Sequence, residues 1–391
     1  MFYETLPLLL NDGLITFFYY KLKEAPQIVN ESGTPDYVAL YDDKILPDRM
    51  MLSKNPEDCF LRQTSAFCSP EPAGGDEQLL ICDFDYLKKY ELKPDVRTTT
   101  PGYGGRAVVL NGRIVEISGV RSDDEGFPLI KAAFLSSFAV HVVVVRHATM
   151  AHLAIGQRLL VKLTAGRTQA YQDAWNRSKG PSLLLTATTY RTNLVSINEQ
   201  LLAGPGNSLF GCALSLTNDG LVELKMDMYE KYSDMTPDAL VAEIGGSGTP
   251  TWTNACNIAW QGAKDVVNVI CKDIQPFLED TDLSDLALIL WAATFYHGFI
   301  GDFQLDNVIK GNLLLSLAMS SATGDLGYGT LIATIGVTTM TRTLTMIDLN
   351  GLFPKKEEND AWEQYETLLQ NIDAGVSGFS LAAPVYTAVN F

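Results

Sequence analysis

Histidines are the residues of this chain whose type and placement suit metal chemistry. The chain has only four, and three of them, His141, His147 and His152, fall within one short stretch. The fourth, His297, lies in a strongly apolar segment much farther along. Neutral imidazole binds iron, copper, zinc and nickel, and two histidines on one helix with one from another can form an inward-facing site. The alternative is unrelated core histidines bonded to backbone or water.

The spacing of His147 and His152 constrains that hypothesis. Residues five apart point about 140° away from each other on a regular α-helix and cannot share one ion. An inserted residue that forms a π-helical turn brings them onto one side, and such turns are frequent at functional sites. The spacing therefore either argues against a shared metal or predicts a local π turn.

The elements that must position the histidines are predicted to be helices. Pro128 suits a first helical turn, and no proline interrupts residues 129 to about 163, which carry the first three histidines. A second apolar helix, with Ser284 as its N-cap, is predicted to run to about Leu305 and to carry His297.

Other local patterns complete a mainly α prediction with a few short strands. Residues 106–117 read as a β-hairpin turned by Asn111-Gly112. The remaining predictions are a loop over 245–253, an amphipathic helix over 254–271, and a last helix with Trp362, Tyr365 and Leu368 on one face that ends near Gly375. We expect one domain over 1–391, with an irregular portion over 1–110 packed on a helical core over 128–391.

Composition excludes several function classes. The net charge is −17, with 47% hydrophobic and 19% charged residues, and no basic stripe favours nucleic acid or an anionic membrane. The most apolar stretch, 132–153, carries three histidines and an arginine, so a buried helix fits it better than a stable membrane insertion. The start of the chain lacks the basic region of a signal peptide, which predicts a cytoplasmic protein.

The six cysteines form no CxxC pair. A loop disulfide between Cys59 and Cys68 is one alternative, but scattered reduced thiols suit a cytosolic protein better.

Several motifs, in order, resemble the lipoxygenase family. Arg146-His147-Ala-Thr-Met-Ala-His152-Leu is similar to the family's helix with two iron-binding histidines separated by four residues. The segment 290–304, with His297, is similar to the helix that supplies a third histidine, and the apolar tail 379–391 is similar to the tail whose last residue gives its α-carboxylate to the iron. Segments 189–193 and 214–223 also resemble family motifs, so the likeness runs over roughly 105–391.

This resemblance implies a lipoxygenase-like helical catalytic domain, and at 391 residues we expect no room for the N-terminal β-barrel of plant and animal members. It implies non-haem iron held by the imidazoles of His147, His152 and His297 and by the carboxylate of Phe391. It also implies Gln304 as a group bonding to ligands and bound water. The substrates would be a polyunsaturated, lipophilic molecule, with a fatty acid expected, and O2, and the product a hydroperoxide.

The chain departs from the family pattern at the position of an asparagine ligand. That position is Gly301, so either a bulge turns the neighbouring Asp302 inward or water fills the coordination place. His141 resembles a further histidine of the family's longer histidine-rich run and is a tentative additional ligand.

Three alternatives stay open from the sequence. A divergent tailoring oxygenase would act on a polyketide, a terpene or another unsaturated small molecule of a natural-product pathway. A metal-free binding protein would retain only the scaffold. A zinc hydrolase would need a carboxylate base near the histidines, and the chain has no HExxH arrangement. The oligomeric state is not legible from the sequence.

Overall fold

The structure is a computed structural model. It describes residues 61, 64–70, 79–92, 103–156, 158, 168–184, 216–279, 281–296 and 349–373. The predicted mainly α class is confirmed for these residues, which are mostly helical and include one small antiparallel sheet.

The sheet has five strands in the order β1-β2-β3-β4-β5, and every neighbouring pair is antiparallel. Its strands are β1 (Ser69–Pro70), β2 (Leu79–Asp83), β3 (Arg106–Leu110), β4 (Arg113–Ile117) and β5 (Val120–Arg121). The predicted hairpin is confirmed as β3 and β4, joined by Asn111 and Gly112 with φ values of 49° and 72°. Two successive positive φ angles suit the right-handed twist of the strands. Strands β1 and β2 fall within residues 1–110, so this portion contains regular structure that the sequence did not predict.

Helices form most of the rest of the described chain. The α-helices are α1 (Thr64–Phe67), α2 (Phe127–Val140), α3 (Gln169–Arg177), α4 (Asn218–Ser233), α5 (Pro237–Gly246), α6 (Pro250–Ile270), α7 (Asp282–Trp291) and α8 (Lys356–Asp373). Two further helices are π-helical, π1 (His141–Gly156) and π2 (Ala292–Tyr296), and two short 3-10 helices cover Asp85–Lys89 and Gln275–Phe277. No described helix has both the length and the apolar character needed to cross a bilayer.

Helix α6 organises the core. It packs against α5, α7 and α8, while π1 packs against α4 and α2, and α2 lies on β4 and β5. Aromatic rings fill these contacts: Trp252 stacks on Phe295 at 5.5 Å between centroids, and Phe84 contacts Phe134 at 5.4 Å. Such close-packed interiors hold the elements in fixed relative positions.

Two boundary predictions were wrong for identifiable reasons. The predicted loop 245–253 is only a short turn, because Thr249 caps α6 by accepting a hydrogen bond from the Trp252 amide, and Pro250 begins the helix. Ser284 is not the N-cap of its helix, since α7 begins at Asp282. Asp282 and Asp285 lie in that first turn, where a negative charge interacts favourably with the positive end of the helix dipole.

The turn between α5 and α6 predicts a strong glycine requirement. A Cβ built on Gly248 would lie 2.2 Å from the Ser65 carbonyl oxygen and 2.9 Å from Ala66 Cα, both backbone atoms. Gly248→Ala is therefore expected to destabilise the protein by about 1–3 kcal/mol through overpacking. Chemical denaturation measures the change. Gly246→Ala is the matched control, because its Cβ would meet no atom within 4 Å. Equal stability of the two variants would contradict the prediction.

Candidate functional site: two contacting π-helices

The backbone of π1 gives residues five apart a common side. A π-helix closes its hydrogen bonds between residues i and i+5, so these positions lie one turn above each other. Side chains in π1 confirm this register: Arg146 Nε donates to Nε2 of His141, five residues earlier, at 3.1 Å. Of the two alternatives for His147 and His152, the backbone adopts the π turn. Positions 147 and 152 lie one turn apart on one side of the helix.

The same register recurs in π2, which ends where the fourth histidine begins. Trp291 and Tyr296 are five residues apart, and their rings stack at 5.4 Å with an interplanar angle of 8°. All side chains from Ala292 to Tyr296 are buried. His297 follows Tyr296 directly in the chain. Both segments that carry the predicted iron histidines therefore contain or adjoin π-helical backbone.

Tyr296 joins the two π-helices. Its hydroxyl lies 3.3 Å from the carbonyl oxygen of Arg146 and 3.1 Å from Sδ of Met150, both in π1. Burial raises the pKa of Tyr296, so its hydroxyl keeps the proton that it donates. Tyr296, the residue before His297, is thus fixed to the turn of π1 between Arg146 and Met150. Arg146 directly precedes His147, and Met150 lies two residues before His152.

His141 sits at the start of π1 in an aromatic pocket. Its ring lies 5.4 Å from Phe67 and 5.0 Å from Phe84, and Tyr86 Oη is 2.6 Å from Nδ1. Tyr86 belongs to the 3-10 helix that follows β2, so the hydrogen bond between Tyr86 and His141 connects the sheet region to π1.

The hydrogen bonds of His141 define its protonation. Arginine only donates, so Nε2 accepts from Arg146 and the proton sits on Nδ1, which donates to the Tyr86 oxygen. Burial, followed by the positive charges of Arg146 and Lys231, holds the pKa of His141 well below its usual range. A metal bound at Nε2 would have to displace Arg146, and one at Nδ1 would have to displace a proton and Tyr86. The tentative assignment of His141 as a ligand stays a prediction that requires one of these exchanges.

A pH dependence follows from the neutral state of His141. The unfolded chain binds a proton on this residue below about pH 6.5, whereas the folded protein does not. The free energy of unfolding therefore keeps its full value with respect to His141 above that pH. Below it, the free energy of unfolding falls by up to about 1.4 kcal/mol per pH unit. In chelator-treated protein, urea denaturation between pH 7 and 5 should show a smaller decline for His141→Gln than for the wild type. An equal decline in stability for His141→Gln and the wild type would contradict a neutral, buried His141.

The chain's other predicted site groups are only partly described. The side chains of His147 and His152 lie outside the described part of the structure, as do all of His297, Gly301, Asp302, Gln304 and Phe391. Within the described residues, no group of three or more His, Cys, Asp or Glu side chains could hold a metal ion. The described geometry thus brings π1 into contact with π2, the helix that directly precedes His297 in the chain.

A buried ion pair also ties these segments together. Arg158, just beyond π1, lies 3.8 Å from the carboxylate of Asp285 in α7, and the two side chains are only 7% and 0% exposed. Nη2 of Arg158 also donates to the carbonyl oxygens of Ser233, at the end of α4, and of Met235. Burial lowers the pKa of Arg158, and the charges of Asp285 and Asp234 act in the opposite direction.

Sequence reasoning missed Tyr86, Tyr296 and Asp285 as residues of this region. One signal was present: the pairs His141–Arg146, His147–His152 and Trp291–Tyr296 all have the same five-residue spacing. Repetition of that spacing on two apolar helices is what π-helical register would produce.

Comparison of the chain with protein-family models, with curated proteins and with solved structures gives no match. The likeness to lipoxygenases therefore rests on the motifs of the sequence itself.

Proposed function

We propose that this chain is a non-haem iron dioxygenase with a lipoxygenase-like catalytic domain. It would abstract a hydrogen atom from an unsaturated lipophilic substrate, with a polyunsaturated fatty acid expected, and add O2 to give a hydroperoxide. The observation that carries the proposal is the contact of π1 with π2 through Tyr296, Arg146 and Met150. All four histidines of the chain lie in or next to these two contacting segments, and the positions of His147, His152 and His297 are within two residues of the contacting residues.

The proposed donor set is chemically suited to iron. His147, His152 and His297 would contribute neutral imidazoles, and Phe391 would contribute its terminal carboxylate. Nitrogen and oxygen donors of this kind stabilise both Fe(II) and Fe(III), and the bound iron would supply one-electron redox chemistry. Asp302 would add a donor only if it turns inward past Gly301. Gln304 would hold ligands or bound water by hydrogen bonds.

The residues around the proposed centre hold the two π-helices in place and keep water away from their contact. The hydrogen bonds from Arg146 to His141 and from His141 to Tyr86 hold the first turn of π1, and Tyr296 of π2 bonds to the middle of π1. Trp291 and Phe295 are fully buried beside this contact. A site on such supported elements keeps its ligands close to the required geometry and excludes bulk water.

Two measurements on freshly purified protein test the proposal together. Elemental analysis should give about one iron per chain, as expected for a three-imidazole site. Linoleate or arachidonate supplied with O2 should produce conjugated-diene absorbance. Iron without diene formation would move the substrate to another unsaturated small molecule, as in the tailoring-oxygenase alternative. Far less than one iron per chain, with no diene, would contradict the iron dioxygenase and favour the metal-free binding protein.

A further inference from the structure

The first two strands place two cysteines opposite each other. In the ladder of β1 and β2, Ser69 faces Ile81 and Pro70 faces Leu80. Cys68 directly precedes β1, and extending this register by one residue places it opposite Cys82 of β2. Facing residues of antiparallel strands have Cα atoms about 4.5–5.5 Å apart, and this lies within the range of about 4.4–6.8 Å that disulfides span.

The two thiols are direct neighbours in the core. Both cysteines are 0% exposed, and both are free thiols in this structure. The Cys68 side chain lies close enough to Cys82 to raise its pKa, and Cys82 Sγ donates to the carbonyl oxygen of Phe67, the residue before Cys68, at 3.3 Å. The sulfur atoms therefore already occupy adjoining positions. The other two described cysteines, Cys256 and Cys271, lie in or at the end of α6, far from this pair in the chain.

We propose that Cys68 and Cys82 are a site of thiol oxidation, at which a disulfide forms between the residue before β1 and strand β2 when the folding chain meets a small disulfide oxidant. This inference is independent of the proposed iron chemistry. It also replaces the pairing of Cys68 with Cys59 that the sequence left open.

The reaction is thiol–disulfide exchange in two steps. The thiolate of one cysteine attacks a sulfur of the small disulfide, which breaks its S–S bond and releases one small thiolate, which takes up the proton lost by the cysteine. The second cysteine, also deprotonated, attacks the protein sulfur of this mixed disulfide. The Cys68–Cys82 bond forms and the second small thiol leaves with the second proton. Two protein thiols lose two electrons in total, and one disulfide is reduced to two thiols.

Burial decides when this exchange occurs. Desolvation and the neighbouring Cys68 raise the pKa of Cys82 well above its usual value, so Cys82 contributes little reactive thiolate in the folded protein, and both cysteines are closed to solvent. We therefore expect oxidation during folding, before β1 and β2 are covered, and slow reaction of either state once folded. The bond would fasten the two-residue strand β1, and with it Phe67 against the His141 ring, to the rest of the sheet.

The experiment uses the full chain, reduced and unfolded in guanidinium chloride, then refolded in a mixture of reduced and oxidised glutathione. Free thiols are alkylated and the protein is digested with trypsin. No lysine or arginine lies between Arg62 and Lys88, so both cysteines fall in one peptide, 63–88. The expected result is an unalkylated peptide lighter than the dithiol form by two hydrogen atoms. A peptide 63–88 alkylated at both cysteines, or one linked to peptide 55–62 through Cys59, would overturn the proposal.

Thermal unfolding separates this pair from other buried thiols. Oxidised wild-type protein should melt a few degrees above the reduced protein, because the bond restricts the unfolded chain. Cys82→Ala should abolish the difference between the two redox conditions. Cys256→Ala, which removes an equally buried thiol from α6, should preserve it. Loss of the difference in Cys256→Ala, or its survival in Cys82→Ala, would also overturn the proposal.

Discussion

Freshly purified His297→Gln protein is expected to contain almost no iron and to form no hydroperoxide from linoleate. Loss of one of the three proposed imidazoles should lower iron affinity by roughly 100-fold or more, since changes to supporting groups alone cost about 10–100-fold. His147→Gln and His152→Gln should behave in the same way, because the π register places positions 147 and 152 on one side of π1. Elemental analysis and the diene assay measure both effects.

His141→Gln is the matched control for this series, because both of its ring nitrogens already have partners in the chain. It should lose less iron than His147→Gln, His152→Gln or His297→Gln, with reduced stability from the lost hydrogen bonds. Iron loss in His141→Gln equal to that in His297→Gln would make His141 a ligand. Full iron content in His297→Gln would remove the segment 290–304 from the proposed centre.

Asp285→Asn is expected to destabilise the protein by about 3–5 kcal/mol, the cost of leaving one buried charge without its partner. The side chain of Asp285 is 0% exposed and that of its partner Arg158 is only 7% exposed. Water therefore has little access to the Arg158 guanidinium and cannot solvate its charge once the carboxylate is removed. Urea denaturation measures the change. Because this pair links α7, which leads into π2, to the end of π1, the variant should also retain less iron after purification.

The control is an ion pair of similar chemistry on the surface. Lys356 and Asp360 lie 2.7 Å apart on α8 with 86% and 47% of their side chains exposed, so Asp360→Asn should cost less than about 1 kcal/mol. The double variant Arg158→Met/Asp285→Leu should recover much of the loss, since apolar groups leave no unpaired charge. A loss for Asp285→Asn no larger than that for Asp360→Asn would contradict the assigned role.

The parts of the fold that could be predicted from sequence are those that local patterns determine. Asn111-Gly112 between alternating apolar residues predicted the hairpin, and Pro128 marked the start of α2, because both depend on backbone preferences of a few residues. The last helix was also predicted from one apolar face, which carries Trp362 and Tyr365. The boundary at 245–253 was wrong because its glycines suggested a loop, whereas Thr249 and Pro250 begin α6 there. The boundary at Ser284 was wrong because the serine suggested an N-cap, whereas α7 already begins at Asp282.

The candidate site was predictable in its residue types and not in its contacts. The five-residue spacing of His147 and His152 required a π turn for a shared ion, and the backbone has one. No local pattern could show that Tyr86 would bond to His141, or that Tyr296 would reach Arg146 and Met150, since these residues are far apart in the chain. The pairing of Cys68 with Cys82 likewise depends on strand register, which forms only when the sheet assembles.

X-ray absorption at the iron edge of freshly purified protein tests most directly whether imidazoles from both π-helical segments meet at one ion. We expect iron surrounded by nitrogen and oxygen donors, with the scattering signature of three imidazoles in the wild type and of fewer in any residual iron of His152→Gln or His297→Gln. Iron with no imidazole signature, or a spectrum identical in the wild type and in both variants, would contradict it.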